Sequence, residues 1–278
     1  MTRTVLMLSS AMLLIVAGCN RQDAPGNDSA GEMNQSAAAT SIDGTWKVDL
    51  ASAQIEEKPY SLLLKDGTYS CSTCEPPLTV AADGAFHAVP DRPYYDSISV
   101  KTVDDKTVMT VRKKGDRIVG ETTRTVAADG KSMTVNASDS STPGTTPILS
   151  KATETRVESA PAGAHAISGS WKTAKIDSVS DEGLKVTFRL DGETLNMNGA
   201  GQSYAAKLDG SDTPIKGDIG GTIVSVERVA PNIFRETFKR DGKVRSVNTM
   251  TIGEDGKMSI LSEDKIRTGS SRYTATRQ

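Results

Sequence analysis

Aromatic residues are scarce in this chain: four phenylalanines, six tyrosines and two tryptophans among 278 residues. A cavity lined by rings has little to be built from. Histidine occurs twice and cysteine three times, thin material for a zinc centre that normally needs four ligands. Charge of one sign has no large excess, because lysines and arginines are interspersed with acids to a formal net charge of −2. That balance argues against nucleic acid as a partner, since its phosphates call for a clustered basic surface. Long apolar runs are also missing. The longest, Val5 to Ala17, has 13 residues, short of the roughly 20 that a membrane-spanning helix needs.

That run has the form of an export signal, with Arg3 as its positive start. It ends in Val16-Ala17-Gly18-Cys19, which resembles the bacterial lipobox. The resemblance implies cleavage after residue 18 and acylation of Cys19. Asn20 stands where Asp retains a lipoprotein in the inner membrane, so the expected site is the periplasmic side of the outer membrane. Acyl chains at about 0.8 kcal/mol per buried CH₂ make such an anchor stable. Gln22 to Thr40 is mainly Ala, Ser, Asn, Gly and acids with almost no large apolar side chain, so 19–41 is expected to be a flexible tether.

Beyond the tether the chain repeats itself. Ile42-Asp43-Gly44-Thr45-Trp46-Lys47 returns as Ile167-Ser168-Gly169-Ser170-Trp171-Lys172, an offset of 125 residues. Asp129-Gly130-Lys131-Ser132-Met133 returns as Asp255-Gly256-Lys257-Met258-Ser259 at 126. A drift of one residue over that length marks a duplicated module. Within each copy the apolar spacing is two, the period of a half-buried strand: Ile98 and Val100 alternate with serine and lysine, as do Val224 and Val226. Asp-Gly and Gly-Asp pairs between the runs suit tight hairpins. The meander is expected near 97–103, 106–113, 117–127, 131–138 and 148–157. In the second copy it is expected near 222–229, 233–239, 243–252, 257–263 and 270–277. Earlier strands fall near 44–50, 60–65, 169–175 and 184–190, with a short helical turn allowed within 51–57. The expected fold is all-β: two tandem antiparallel meander barrels, 42–157 and 167–278, joined by a linker at 158–166. Closing a sheet on itself removes its exposed edges.

Gly44-x-Trp46 and Gly169-x-Trp171, each opening a first strand, resemble the Gly-x-Trp signature of the lipocalin and calycin superfamily, whose barrels have about eight strands. More closely, the chain is similar to tandem lipocalin-like lipoproteins of Gram-negative bacteria. The resemblance implies that each tryptophan closes one end of a barrel and that an arginine of the last strand stacks across it, a favourable cation–π contact. Arg156 ends module one and Arg277 ends module two, so the expected pairs are Trp46 with Arg156 and Trp171 with Arg277.

No nucleophile, paired carboxylates or phosphate loop stands out, so no enzyme activity, cofactor or metal is expected. Cys71-Ser72-Thr73-Cys74 leaves an even pair once Cys19 is lipidated, as suits an oxidising compartment. It is read as a local disulfide, with a redox or metal Cys-x-x-Cys as the alternative and His87 as the nearest further ligand. His165 belongs to the linker and is expected in solvent. Tyr94-Tyr95 offers one ring to the interior and one to a binding lip. Two functions follow: a periplasmic lipoprotein that holds a small apolar molecule in a barrel mouth, or a structural lipoprotein whose filled barrels engage an envelope partner.

Overall fold

The computed structural model describes residues 40–278; the signal, Cys19 and most of the tether lie outside them. The first repeat contributes β1 (Gly44–Glu56), β2 (Tyr60–Lys65), β3 (Thr68–Cys71), β4 (Leu78–Ala81) and β5 (Asp83–Ala88). A meander follows: β6 (Ser97–Thr102), β7 (Thr107–Lys114), β8 (Arg117–Val126), β9 (Ser132–Asp139) and β10 (Ile148–Glu158). The second repeat opens with β11 (Gly169–Val179), one helical turn α1 (Asp181–Leu184), β12 (Lys185–Asp191), β13 (Thr194–Gly199), β14 (Gln202–Lys207) and β15 (Asp209–Pro214). It ends with β16 (Ile223–Ala230), β17 (Ile233–Arg240), β18 (Lys243–Ile252), β19 (Lys257–Asp264) and β20 (Gly269–Arg277).

These strands form two ten-stranded antiparallel sheets, each curled into a nearly closed barrel. The meander strands lie where alternation put them. The short strands β3 to β5 and β13 to β15 carry too few apolar residues to announce themselves. Each barrel closes through one bent strand. β4 pairs with β3 and β5 pairs with β6, yet only Ala82 separates β4 from β5. The bend falls at Asp83-Gly84, where Gly84 has φ 82° and the Asp83 carboxylate accepts the Ala85 N–H at 2.9 Å. Asp209-Gly210 repeats it with φ 79° and the Ser211 N–H at 2.9 Å. Each is a bulge with a register shift on the next strand, a device that bends a strand without ending it. These two Asp-Gly pairs are therefore corners, whereas Asp66-Gly67 and Asp241-Gly242 are hairpin turns with both residues at positive φ, as tight hairpins require.

The sheets do not follow the repeat boundaries. One sheet runs β4-β3-β2-β11-β10-β9-β8-β7-β6-β5, the other β14-β13-β12-β1-β20-β19-β18-β17-β16-β15. The two repeats have exchanged their first strands. β1 lies between β12 and β20, with Gly44 opposite Phe188 and Trp46 opposite Arg277. β11 lies between β2 and β10, with Gly169 opposite Leu62 and Trp171 opposite Arg156. The cores agree. Trp171 packs with Leu62, Leu64, Val100 and Val108, while Trp46 packs with Phe188, Leu195, Phe234 and Ile252. The expected units 42–157 and 167–278 are thus corrected. Barrel 1 is built from β2 to β11, and barrel 2 from β1 with β12 to β20. The helical turn expected within 51–57 is not formed: β1 continues to Glu56, with Gln54 to Glu56 still paired to β20, and the chain crosses to barrel 1 through Glu57-Lys58-Pro59.

Candidate functional site

The Gly-x-Trp phrases form two matching closures. Trp46 and Trp171 are fully buried. Each indole N–H donates to the carbonyl four residues earlier, Ile42 and Ile167, at 2.8 Å in both cases. The arginine on each ring is its cross-strand neighbour: Arg277 lies 4.8 Å from the Trp46 ring centre and Arg156 lies 4.1 Å from that of Trp171. The expected partners are therefore corrected to Trp46 with Arg277 and Trp171 with Arg156, the direct consequence of strand exchange. Carbonyls fix each guanidinium. Arg156 donates to Gly130, Ser168 and Ala166, and Arg277 donates to Ser41 at 2.6 Å. Gly44 and Gly169 sit at φ 126° and 114°, a region costly for a side chain. A Cβ on Gly169 would also lie 2.4 Å from the Glu158 carbonyl. The motif is a structural lock, and Ile42 and Ile167, which open the repeated phrase, belong to it as buried side chains whose carbonyls accept the indole N–H.

The barrel interiors hold buried acids. In barrel 1 the Tyr60 hydroxyl donates to the Glu154 carboxylate, and Arg124 is buried beside them. In barrel 2 the Tyr204 hydroxyl and, at 3.1 Å, the Asn248 amide both donate to Glu236. Burial pushes both carboxyls above the usual carboxylate range, against the opposing pull of Arg124 on Glu154 and of the hydrogen bonds on Glu236. Tyr60 and Tyr204 are pushed up in turn, by burial first and then by the neighbouring acid. The two clusters do not occupy equivalent positions: Glu154 is on the last strand of its repeat, whereas Glu236 is on β17. The modules have diverged inside while keeping their closures.

Cys71 and Cys74 are joined by a disulfide. It closes the link from β3 to β4, which in the second repeat is the two-residue turn Ala200-Gly201. Arg92 donates to the carbonyls of Pro76 and Pro77 at 2.6 and 2.8 Å and lies 5.5 Å from the Tyr95 ring centre, pinning this loop to the one before β6. Tyr95 is in the core and Tyr94 is half-buried. His87 bonds Asp83 at 2.8 Å and does not join the cysteines. His165 is engaged rather than free in solvent: its ring contacts the Asp104 carbonyl at 2.6 Å and its N–H donates to Leu64, clasping the linker to barrel 1. Among the described residues no three His, Cys, Asp or Glu converge. Among the described residues, depressions are found on the surface. One, of about 310 Å³, is lined by Thr45, Thr145, Ile148, Lys185 and Asn198; another, of about 560 Å³, is lined by Lys65, Gly67, Thr102, Asp105 and His165.

No family model matches the chain, and no curated protein or solved structure matches it either.

Proposed function

We propose that this chain is a lipid-anchored envelope protein whose filled barrels act as a rigid interaction scaffold. The observation that carries this reading is what occupies the barrel interiors. Tryptophans plug one end of each, and hydrogen-bonded, ionisable clusters around Glu154 and Glu236 lie where an apolar ligand would sit. Burying such groups against hydrocarbon is unfavourable, and both surface depressions are formed largely by turns, linker and outward-facing residues. The lipocalin-like arrangement of Gly44, Trp46, Gly169 and Trp171 then serves stability rather than ligand capture.

Anchoring is proposed from Val16-Ala17-Gly18-Cys19, and an outer-membrane position from Asn20. Native mass spectrometry of the purified protein, with solvent extraction, tests the scaffold reading. No stoichiometric small molecule is expected; an apolar compound at one per barrel would instead favour the carrier. Cys19→Ala tests the anchor, because the exported variant should leave the membrane fraction once the membranes are washed at high salt. A variant that still sediments in a detergent-sensitive way with membranes washed at about 1 M salt, where surface charge is screened, would remove the lipoprotein reading.

A further inference from the structure

Two hairpins carry the same decoration. Between β7 and β8 the chain reads Lys113-Lys114-Gly115-Asp116-Arg117-Ile118; between β17 and β18 it reads Lys239-Arg240-Asp241-Gly242-Lys243-Val244, 126 residues later. Each tip has three cations, one acid and one exposed aliphatic, Ile118 or Val244. This is a local excess of positive charge on a chain that is slightly acidic overall.

The tips meet. The loop before β6 holds both of them. Asp96 accepts the Gly115 N–H of the first tip at 2.9 Å. Tyr94, two residues earlier, lies 5.2 Å from Arg240 of the second tip and contacts the Thr222 hydroxyl at 2.8 Å. Tyr94 and Gly220 occupy corresponding places in the two repeats and touch, since a Cβ on Gly220 would fall 2.3 Å from the Tyr94 ring. The tips therefore flank the point where the two repeats face one another and form one composite surface.

Its charges are incompletely answered. Asp212 pairs with Lys239 at 2.7 Å, and Asp241 lies 3.9 Å from Arg245. Lys113 lies over the exposed Phe86 ring at 4.0 Å, and Arg117 donates to the carbonyls of Ser140 and Ser141. Among the described residues Lys114 and Lys243 have no ion pair. Six cations on the two tips with an exposed aliphatic on each suit a lipid interface, where headgroup phosphates meet the charges and the boundary region takes the side chains. A soluble polyanion would gain nothing from Ile118 and Val244.

We infer that this paired-tip surface docks on an anionic lipid bilayer. The inference is independent of acylation, so the full-length Cys19→Ala chain is the protein to use. Its sedimentation with phosphatidylglycerol-containing vesicles is compared with that on pure phosphatidylcholine vesicles, which carry any contribution of the apolar N-terminal run equally. The anionic vesicles should bind more chain, and the difference should vanish near about 1 M salt, where the Debye length is about 3 Å. Lys114→Glu with Lys243→Glu should weaken the anionic preference by about 25-fold or more, at about fivefold per lysine lost. Lys151→Glu with Lys175→Glu, on β10 and β11, should leave it within about twofold on the same scale. Ile118→Ser with Val244→Ser should reduce binding while its salt dependence persists. The proposal fails if the parent shows no anionic preference or if both lysine pairs lose it equally. It also fails if the serine pair changes nothing and the tips retain heparin instead, which would make the surface a polyanion site.

Discussion

At the scale of single residues, the closures make a directional prediction. Trp46 belongs to the first repeat by sequence and to barrel 2 by packing. Truncating a buried indole typically costs about 3–5 kcal/mol, a large share of a small domain's stability. Trp46→Ala should therefore expose 185–277 to protease before 60–157, and Trp171→Ala should do the reverse, as mass mapping of the protected fragments will show. Earliest cuts within 60–157 for Trp46→Ala would overturn the assignment of β1 to barrel 2. Glu236 supplies a second test. Its folded carboxyl is held above its unfolded value by burial, so between those two pKa values the native state binds more protons than the unfolded chain. Stability then falls as pH rises through that window and stays lowered above it. Glu236→Gln removes the titration while keeping one acceptor for Tyr204 or Asn248. The variant's melting temperature should exceed that of the parent near neutral pH, and the gain should shrink as pH falls towards about 4, where an unfolded glutamate is itself protonated. A gain that does not change with pH would show that burial of the charge is not what Glu236 costs.

At the scale of elements, the sequence made the meanders legible and left the first strands ambiguous. Alternation at Ile98 and Val100 or at Val224 and Val226 is a strong period-two signal, and those strands occur where expected. Gly44-x-Trp46 and Gly169-x-Trp171 also announced the lock, together with arginines at the ends of the last strands. What could not be read was which arginine meets which tryptophan. The repeats carry the same closure, so Trp46 finds an equivalent socket of glycine, carbonyl and guanidinium in either barrel. Local contacts are nearly degenerate between the two topologies. The choice lies in the connection, and Ala51 to Glu56 was the decisive stretch. Taken as a turn, it would fold β1 back onto β2 in one module. It instead extends β1 to 13 residues, with an irregularity after Asp49 and with Gln54 to Glu56 still paired to Arg272 to Ser270 of β20, leaving Glu57-Lys58-Pro59 to reach β2. The polar interiors were hidden for a different reason. Period two sets Glu236 on the face of Phe234 and Phe238, whereas Glu154 stands between Ala152 and Arg156, which fix no face, and the tyrosines that satisfy both acids come from other strands.

At the scale of the whole molecule, exchange turns two small barrels into one interdependent unit. Neither repeat owns a complete barrel, since each lacks a central strand without the other. This is domain swapping within a single chain. It predicts a pattern of engineered cross-links that contiguous barrels would not give. Thr45 lies opposite Thr187, their hydroxyls 2.8 Å apart, and Ser170 lies opposite Ser61, their hydroxyls 2.9 Å apart. Side chains this close across paired strands have Cβ atoms within reach of a disulfide. Thr45→Cys with Thr187→Cys should oxidise to an internal cross-link, and so should Ser61→Cys with Ser170→Cys. The pairs that unexchanged barrels would place together, Thr45→Cys with Ser61→Cys and Ser170→Cys with Thr187→Cys, should keep free thiols under the same oxidant. Peptide mapping without reductant reads all four, and each variant is checked for an undisturbed Cys71–Cys74 bridge. If the second set closes and the first does not, β1 and β11 stay within their own repeats. Closure of both sets would mean that the chain populates both topologies, as the near-degeneracy of its two tryptophan sockets permits.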